Sequence, residues 1–158
     1  MEKLKEFIPY IVIIVVITLV RTFLFTPIRV NGDSMNQTLF NKEIMILNKV
    51  AAIDRFDIVV IKEPNAYLIK RVIGLPNEKV TYQNNKLMIN GKETKDPFIK
   101  KHTVEDFSIE LGANEYFVMG DNRPNSYDSR SLGPIDKSKI VGTTNLVLFP
   151  FDHIGIVK

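Results

Sequence analysis

A lysine that serves as a general base must be neutral near neutral pH, which requires burial away from water. Lys70 has neighbours of that kind, in the run Tyr67-Leu68-Ile69-Lys70-Arg71-Val72-Ile73-Gly74-Leu75-Pro76. Side chains alternate along a strand, so Leu68, Lys70 and Val72 share one face and Ile69, Arg71 and Ile73 the other. Each face then holds one cation between two apolar residues, unlike a solvated face. The same run also fits an edge strand whose lysine blocks edge-to-edge pairing. For the first reading the ammonium must fall well below its ordinary pKa of about 10.4, and full burial can supply that.

The partner of such a base is a hydroxyl. Gly32-Asp33-Ser34-Met35-Asn36-Gln37-Thr38-Leu39 is a polar turn nine residues beyond an apolar N-terminal stretch. Ser34 is a candidate nucleophile there, although Ser and Asp equally cap backbone groups in a plain turn. A third cluster runs from Gly120 to Gly133 as GDNRPNSYDSRSLG. It reads either as a solvated loop or as an ordered one, since its two Arg and two Asp can pair and support a site from behind. Phosphate-cradling GxxxxGK[ST] and GxGxxG loops and the zinc-binding HExxH are absent, and Ser34 lacks the second glycine of a nucleophile elbow. With no Cys, disulfides, thiolate metal sites and a Cys nucleophile are excluded. His102 and His153 alone leave little for a His-rich metal site or a His relay.

The elements that must position these residues follow from composition and pattern. The chain has 158 residues, 45% hydrophobic and 25% charged, which suits one globular domain with at most a small inserted lobe. Its net charge is +3, but residues 26–158 hold 18 positive against 16 negative side chains, too balanced for an electrostatic nucleic-acid binder. Residues 8–20 carry no charge, and after Arg21 the apolar character resumes to Phe25. Eighteen residues of helix span about 27 Å, close to the hydrocarbon core of a bilayer, with Arg21 placed to snorkel. No polar face marks a buried core helix and no small-x-small pair marks a cleavage site, so residues 7–25 are expected to form an uncleaved transmembrane signal anchor. Lys3 and Lys5 on one side and Arg21 and Arg29 on the other leave its orientation open.

Beyond the anchor, short apolar runs alternate with turn residues. Strands are expected at residues 44–47, 57–61, 67–75, 86–89, 116–119, 140–141 and 145–149, with a helical turn near 136–140. Asn84-Asn85 and Asn90-Gly91 mark a hairpin or meander over 79–94. Strands without intervening helices predict a mainly β, antiparallel domain over residues 26–158, with the polar stretch 91–112 protruding in a small lobe spanning about 79–112.

Taken together the clusters resemble the type I signal peptidases, membrane-anchored Ser-Lys proteases, most closely their Gram-positive branch. The resemblance covers most of the chain: one anchor, then GDSMNQTL, RFDIVVIK, YLIKRVIGLP and GDNRPNSYDSRSLG in the family's order. It implies an antiparallel β-sheet domain of signal-peptidase type behind a single transmembrane helix, with residues 1–6 cytoplasmic and the domain on the extracytoplasmic side. It implies Ser34 as nucleophile, Lys70 as general base and Ser126 as the hydroxyl that orients the lysine. Asp128, Arg130, Arg71 and Asp121 would hold the geometry through charge pairs, and Val30, Met35, Leu39 and Ile69 would line shallow pockets for small substrate residues. Implied partners are signal peptides of exported preproteins, the lipid bilayer and, by proximity, the secretion translocase. No cofactor, metal or nucleic acid is called for. The sequence departs from the family pattern at Gln37, where Pro is usual, at Phe56 and at Asn77-Glu78. At Gly32 some members have a serine that donates to the oxyanion; here that role would fall to backbone N–H groups, chiefly that of Ser34.

Two rivals belong to other classes. A homologue that binds extended chains without cutting them would have lost Ser34 or Lys70, and both are present. A self-cleaving regulator with the same dyad would carry a DNA-binding helix pair, and none precedes the dyad.

Overall fold

The apolar N-terminal stretch falls within one helix, α1 (Glu2–Phe23), of 22 residues. A computed structural model describes residues 2–99 and 103–157 of the chain, with side chains from residue 7 onward. His102 lies outside the described residues. Among the described residues no helix is long and apolar enough to cross a membrane. The described side chains of α1 are exposed along their length, from Phe7 at 58% to Phe23 at 64%. At its C-terminal end Lys49 Nζ donates to Thr22 O at 2.8 Å, a cation placed on the helix's orphan carbonyls. Phe25 belongs to the next element, so the helix stops short of the last residue of the apolar stretch.

Mainly β structure, antiparallel throughout, follows. Strands β1 (Phe25–Arg29), β2 (Ile44–Asn48), β3 (Ile58–Glu63) and β4 (Ala66–Gly74) belong to the larger sheet. β5 (Lys79–Gln83), β6 (Lys86–Ile89), β7 (Lys92–Thr94) and β8 (Phe107–Glu110) form a second sheet in the order β7-β6-β5-β8. β9 (Glu115–Met119) returns to the larger sheet. There follow a short helix α2 (Ser129–Leu132), β10 (Ile135–Asp136), β11 (Ile140–Phe149) and β12 (Gly155–Ile156). The large sheet runs β1-β2-β11-β3-β4-β9-β10, with β12 also paired to β11. Asn84-Asn85 and Asn90-Gly91 all have positive φ, as two-residue turns require, and turn residues 79–94 into a three-stranded meander.

The strand expectations are revised in two ways. β1, β8 and the two-residue β10 and β12 are additional strands: Pro27 and Arg29 interrupt β1, polar surroundings hide β8, and β10 and β12 are too short to leave a pattern. Pro is tolerated in β1 because that strand is the sheet's edge. The two runs 140–141 and 145–149 are one ten-residue strand, since the threonines between them are good β formers. Gly142 within it allows a close crossing: an added Cβ would lie 2.2 Å from Asn48 O.

Both faces of β3 and β4 are covered, which is why their sequences are nearly continuous apolar runs. One core cluster gathers Val30, Met35, Leu39, Ile58, Val60 and Ile69; another holds Val59, Ile61, Val72 and Val118; a third holds Ile73, Val80, Tyr82 and Phe117 beneath the second sheet.

Candidate active site

β4 pairs with β3 on one side and, from Arg71 onward, with β9 on the other, so Lys70 sits where the strand passes from a free edge to the inside of the sheet. Lys70 is 3% exposed and Arg71 is fully buried, on opposite faces of the strand. Pairing with β3 runs from Ala66 to Arg71, whereas pairing with β9 begins only at Arg71. Past that point the site-side edge of residues 66–70 carries no ladder partner among the described residues.

Ser34 sits in the turn that leaves β1. Lys70 Nζ donates to Ser34 Oγ at 2.7 Å, the single hydrogen bond of the lysine side chain among the described residues. Burial pushes the Lys70 ammonium below its ordinary pKa, partly countered by the nearby Asp128 carboxylate. Gly32 and Gln37, on either side of Ser34, both have positive φ. Gly32 has open space around a would-be Cβ, but its φ of +90° strains any other residue. At position 37 a φ of +85° is one proline cannot adopt, so the turn here differs from what the usual Pro would build. Bonds from Asn36 N to Asp33 O and from Leu39 N to Met35 O hold the turn without it. The Ser34 N–H has no hydrogen-bond acceptor among the described residues.

The loop after β9 grips that turn from the other side. Asn122 N donates to Ser34 O and Asn122 Nδ2 to Asp33 O, each at 3.0 Å. Gly120 makes the approach possible: a Cβ there would stand 2.3 Å from Ser126 Oγ and 2.5 Å from Ser34 O. Arg71 and Asp121 form a two-pronged pair, Nε to Oδ1 at 2.7 Å and Nη2 to Oδ2 at 2.6 Å, with both side chains 1% exposed. Breaking a pair so deeply buried costs about 3–5 kcal/mol. Asp128 accepts from Arg130 Nε, Arg130 Nη2 and Gly120 N. Burial alone would raise its carboxyl, but these donors outweigh it and hold it below the usual range. Ser126 Oγ is buried beside Asp128 without a hydrogen bond of normal geometry, and it makes none to Lys70.

A cavity of about 50 Å3 opens beside the pair, bordered by Val30, Met35, Ile69, Ser34 and Lys70. Leu39 is fully buried in the core beneath and does not border it. So the structure brings Ser34, Lys70, Asp128, Arg130, Arg71, Asp121 and Ser126 into one neighbourhood, with three of the four expected pocket residues around the cavity.

Sequence reasoning gave Arg123 only a general part, as one of two arginines that could pair within the 120–133 loop, and assigned no role to Gly120, Asn122, Tyr82 or Asp96. Arg123 is 1% exposed; its Nη1 pairs with Asp96 Oδ2 at 2.7 Å and donates to Tyr82 Oη at 2.9 Å, and its Nε donates to Gly120 O at 3.0 Å. Only an Arg in a polar run hinted at it; Tyr82 and Asp96 are contacts across about 40 and 30 residues that no local pattern encodes.

The family described as "Signal peptidase, peptidase S26" matches residues 4–149. Signal peptidase I S of Bacillus subtilis (strain 168) is 40% identical over 171 residues, covering 97% of this chain and 93% of the relative. Signal peptidase I of Bacillus licheniformis is 40% identical over 172 residues, covering 97% and 92%. The crystal structure of a signal peptidase I from Enterococcus faecalis V583 superposes with a TM-score of 0.55 at 30% identity, covering 60% of this chain and 97% of that one. With a serine turn, a buried lysine strand and a clamping loop in the family's order, and likeness along nearly its whole length, the chain belongs to the signal peptidase family and is a peptidase.

Proposed function

We propose that this protein is a membrane-anchored endopeptidase that removes signal peptides from exported preproteins, using Ser34 and Lys70 as a catalytic dyad. The observation that carries the reading is the 2.7 Å contact between Ser34 Oγ and a lysine that is 3% exposed and held below its ordinary pKa by burial. When Lys70 is neutral, its lone pair takes the Ser34 proton as Oγ attacks the carbonyl carbon of the scissile bond. The tetrahedral intermediate collapses by breaking the C–N bond, and the Lys70 ammonium delivers that proton to the leaving amine. An acyl-enzyme remains. Neutral Lys70 then takes a proton from water, the hydroxide attacks the ester carbonyl, and Ser34 leaves with that proton.

The free Ser34 N–H supports a backbone oxyanion contact. Asp128, Arg130, Arg71 and Asp121 hold the loop that fixes the Ser34 turn, with Ser126 packed beside Asp128. The cavity of about 50 Å3 suits a small side chain next to the cleaved bond, with Val30, Met35 and Ile69 in its wall. The unpaired edge of β4 suits an extended substrate strand. The reading of an anchor rests on the sequence, in which residues 8–20 carry no charge and the apolar character resumes to Phe25. The domain then works on the extracytoplasmic face, where a signal peptide in the same bilayer is confined beside it.

The test uses the full chain in detergent and a preprotein whose signal ends in Ala-x-Ala, reading product masses. Wild type is expected to cut directly after the small residue, while Ser34→Ala and Lys70→Ala, both folded, give no product. Turnover by Lys70→Ala overturns the dyad; no cleavage by folded wild type overturns the function.

A further inference from the structure

The second sheet reaches the site through one buried polar chain. Tyr82 on β5 and Asp96 beyond β7 meet on Arg123, and the Tyr82 hydroxyl also donates to Asp96. Arg123 also bonds to the clamping loop through Nε and its own carbonyl, while its Nη2 is buried with no hydrogen-bond partner among the described residues. Its Nε donates to Gly120 O, and its own carbonyl accepts Arg130 Nη2 at 2.6 Å. Those two partners are the residues that hold Asp128: Gly120 through its N–H and Arg130 through its guanidinium. A second branch leaves Asp96, whose Oδ1 accepts the Phe98 N–H; the Phe98 ring lies 3.4 Å from the Arg71 guanidinium that pairs with Asp121. Asp96 therefore bears on both ends of the segment that packs against Ser34.

Stability alone does not account for such an arrangement. A buried charge pair is often no better for stability than well-packed apolar residues of the same size, and what it adds is a fixed geometry. Here the geometry that it fixes is that of Gly120, whose Cα lies against the Ser34 carbonyl, and of Asp128, the charged group that acts on Lys70. We infer that Tyr82 and Asp96, acting through Arg123, are positioning residues that set the Ser34–Lys70 geometry from the second sheet.

The inference rests on the proposed dyad, so its first readout does not depend on cleavage. In the full chain in detergent, with isotope-labelled lysines, the Lys70 titration is followed by NMR in wild type, Tyr82→Phe and Asp96→Asn. Tyr82→Phe keeps the ring and leaves the Asp96–Arg123 pair, so it decides the matter if Asp96→Asn does not fold. Loosening the loop admits water, and because burial acts on Lys70 more strongly than Asp128 does, its pKa is expected to move upward. The second readout is cleavage of the Ala-x-Ala preprotein: kcat near neutral pH falls about tenfold or more, as a displaced catalytic group requires, with KM little changed. Its ascending pH limb moves with the NMR value. A folded Tyr82→Phe with wild-type Lys70 titration and wild-type kcat overturns the inference, whatever its melting temperature. Absent cleavage by wild type, with Lys70 still shifting in the variants, would defeat the dyad's function and leave the positioning intact.

Discussion

At the scale of single residues the decisive balance is at Lys70, where loss of hydration lowers the pKa and Asp128 only partly restores it. The same balance fixes a stability effect with a definite sign. Unfolded, Lys70 titrates near its ordinary value of about 10.4; folded, it titrates lower. Between those two values the unfolded chain binds more protons, so stability rises with pH across that window, and below it the penalty for a buried ammonium is complete. Lys70→Met, which keeps the volume without the charge, is therefore expected to be more stable than wild type by a margin that is full below the folded-state titration of Lys70 and shrinks as the pH rises toward about 10. Urea denaturation over a pH series checks this, and a margin independent of pH would refute it. The alternation along YLIKRVIGLP already showed one cation on each face. That Lys70 meets Ser34 while Arg71 meets Asp121 was not visible, because both partners lie 36 to 50 residues away.

Between elements, the site depends on how closely three strands and two loops approach. β4 supplies the lysine, the turn after β1 the serine, and the loop after β9 the clamp. β11 holds β2 and β3 together by switching between them, pairing with β3 up to Thr143 and with β2 from Thr143 onward. Gly142 sits at that switch, against the Asn48 carbonyl. Gly142→Ala must push backbone apart, so a loss of about 1–3 kcal/mol is expected, read from the denaturation midpoint, with cleavage by the folded fraction preserved. No loss would mean that β11 can slide without cost. Local pattern placed most of the strands because apolar alternation and Asn-Gly turns act over a few residues. It missed β1, β8, β10 and β12, whose strand character comes from pairing partners rather than from composition.

For the whole molecule, an exposed apolar helix leads into a β domain whose serine turn begins within ten residues of the helix end. If residues 8–25 lie in a bilayer, Ser34 stays within about 35 Å of its surface, given at most about 3.6 Å per residue. The expected outcome of alkaline carbonate extraction from cells making the full chain is retention in the membrane pellet. Release into the supernatant would show that the helix does not insert, and would remove the confinement on which the mechanism relies.

The sequence by itself determined the class of the domain and the apolar N-terminal run, and it singled out Ser34 and Lys70 as candidates. Each of these rests on residue type, short-range periodicity or motifs kept in order along the chain. Tertiary structure alone decided that β4 is paired on both sides only from Arg71 onward, that Gly120 lets the clamping loop touch Ser34, and that Tyr82 and Asp96 reach the site through Arg123. Burial and ion pairing depend on which distant segments pack together, and no local pattern carries that.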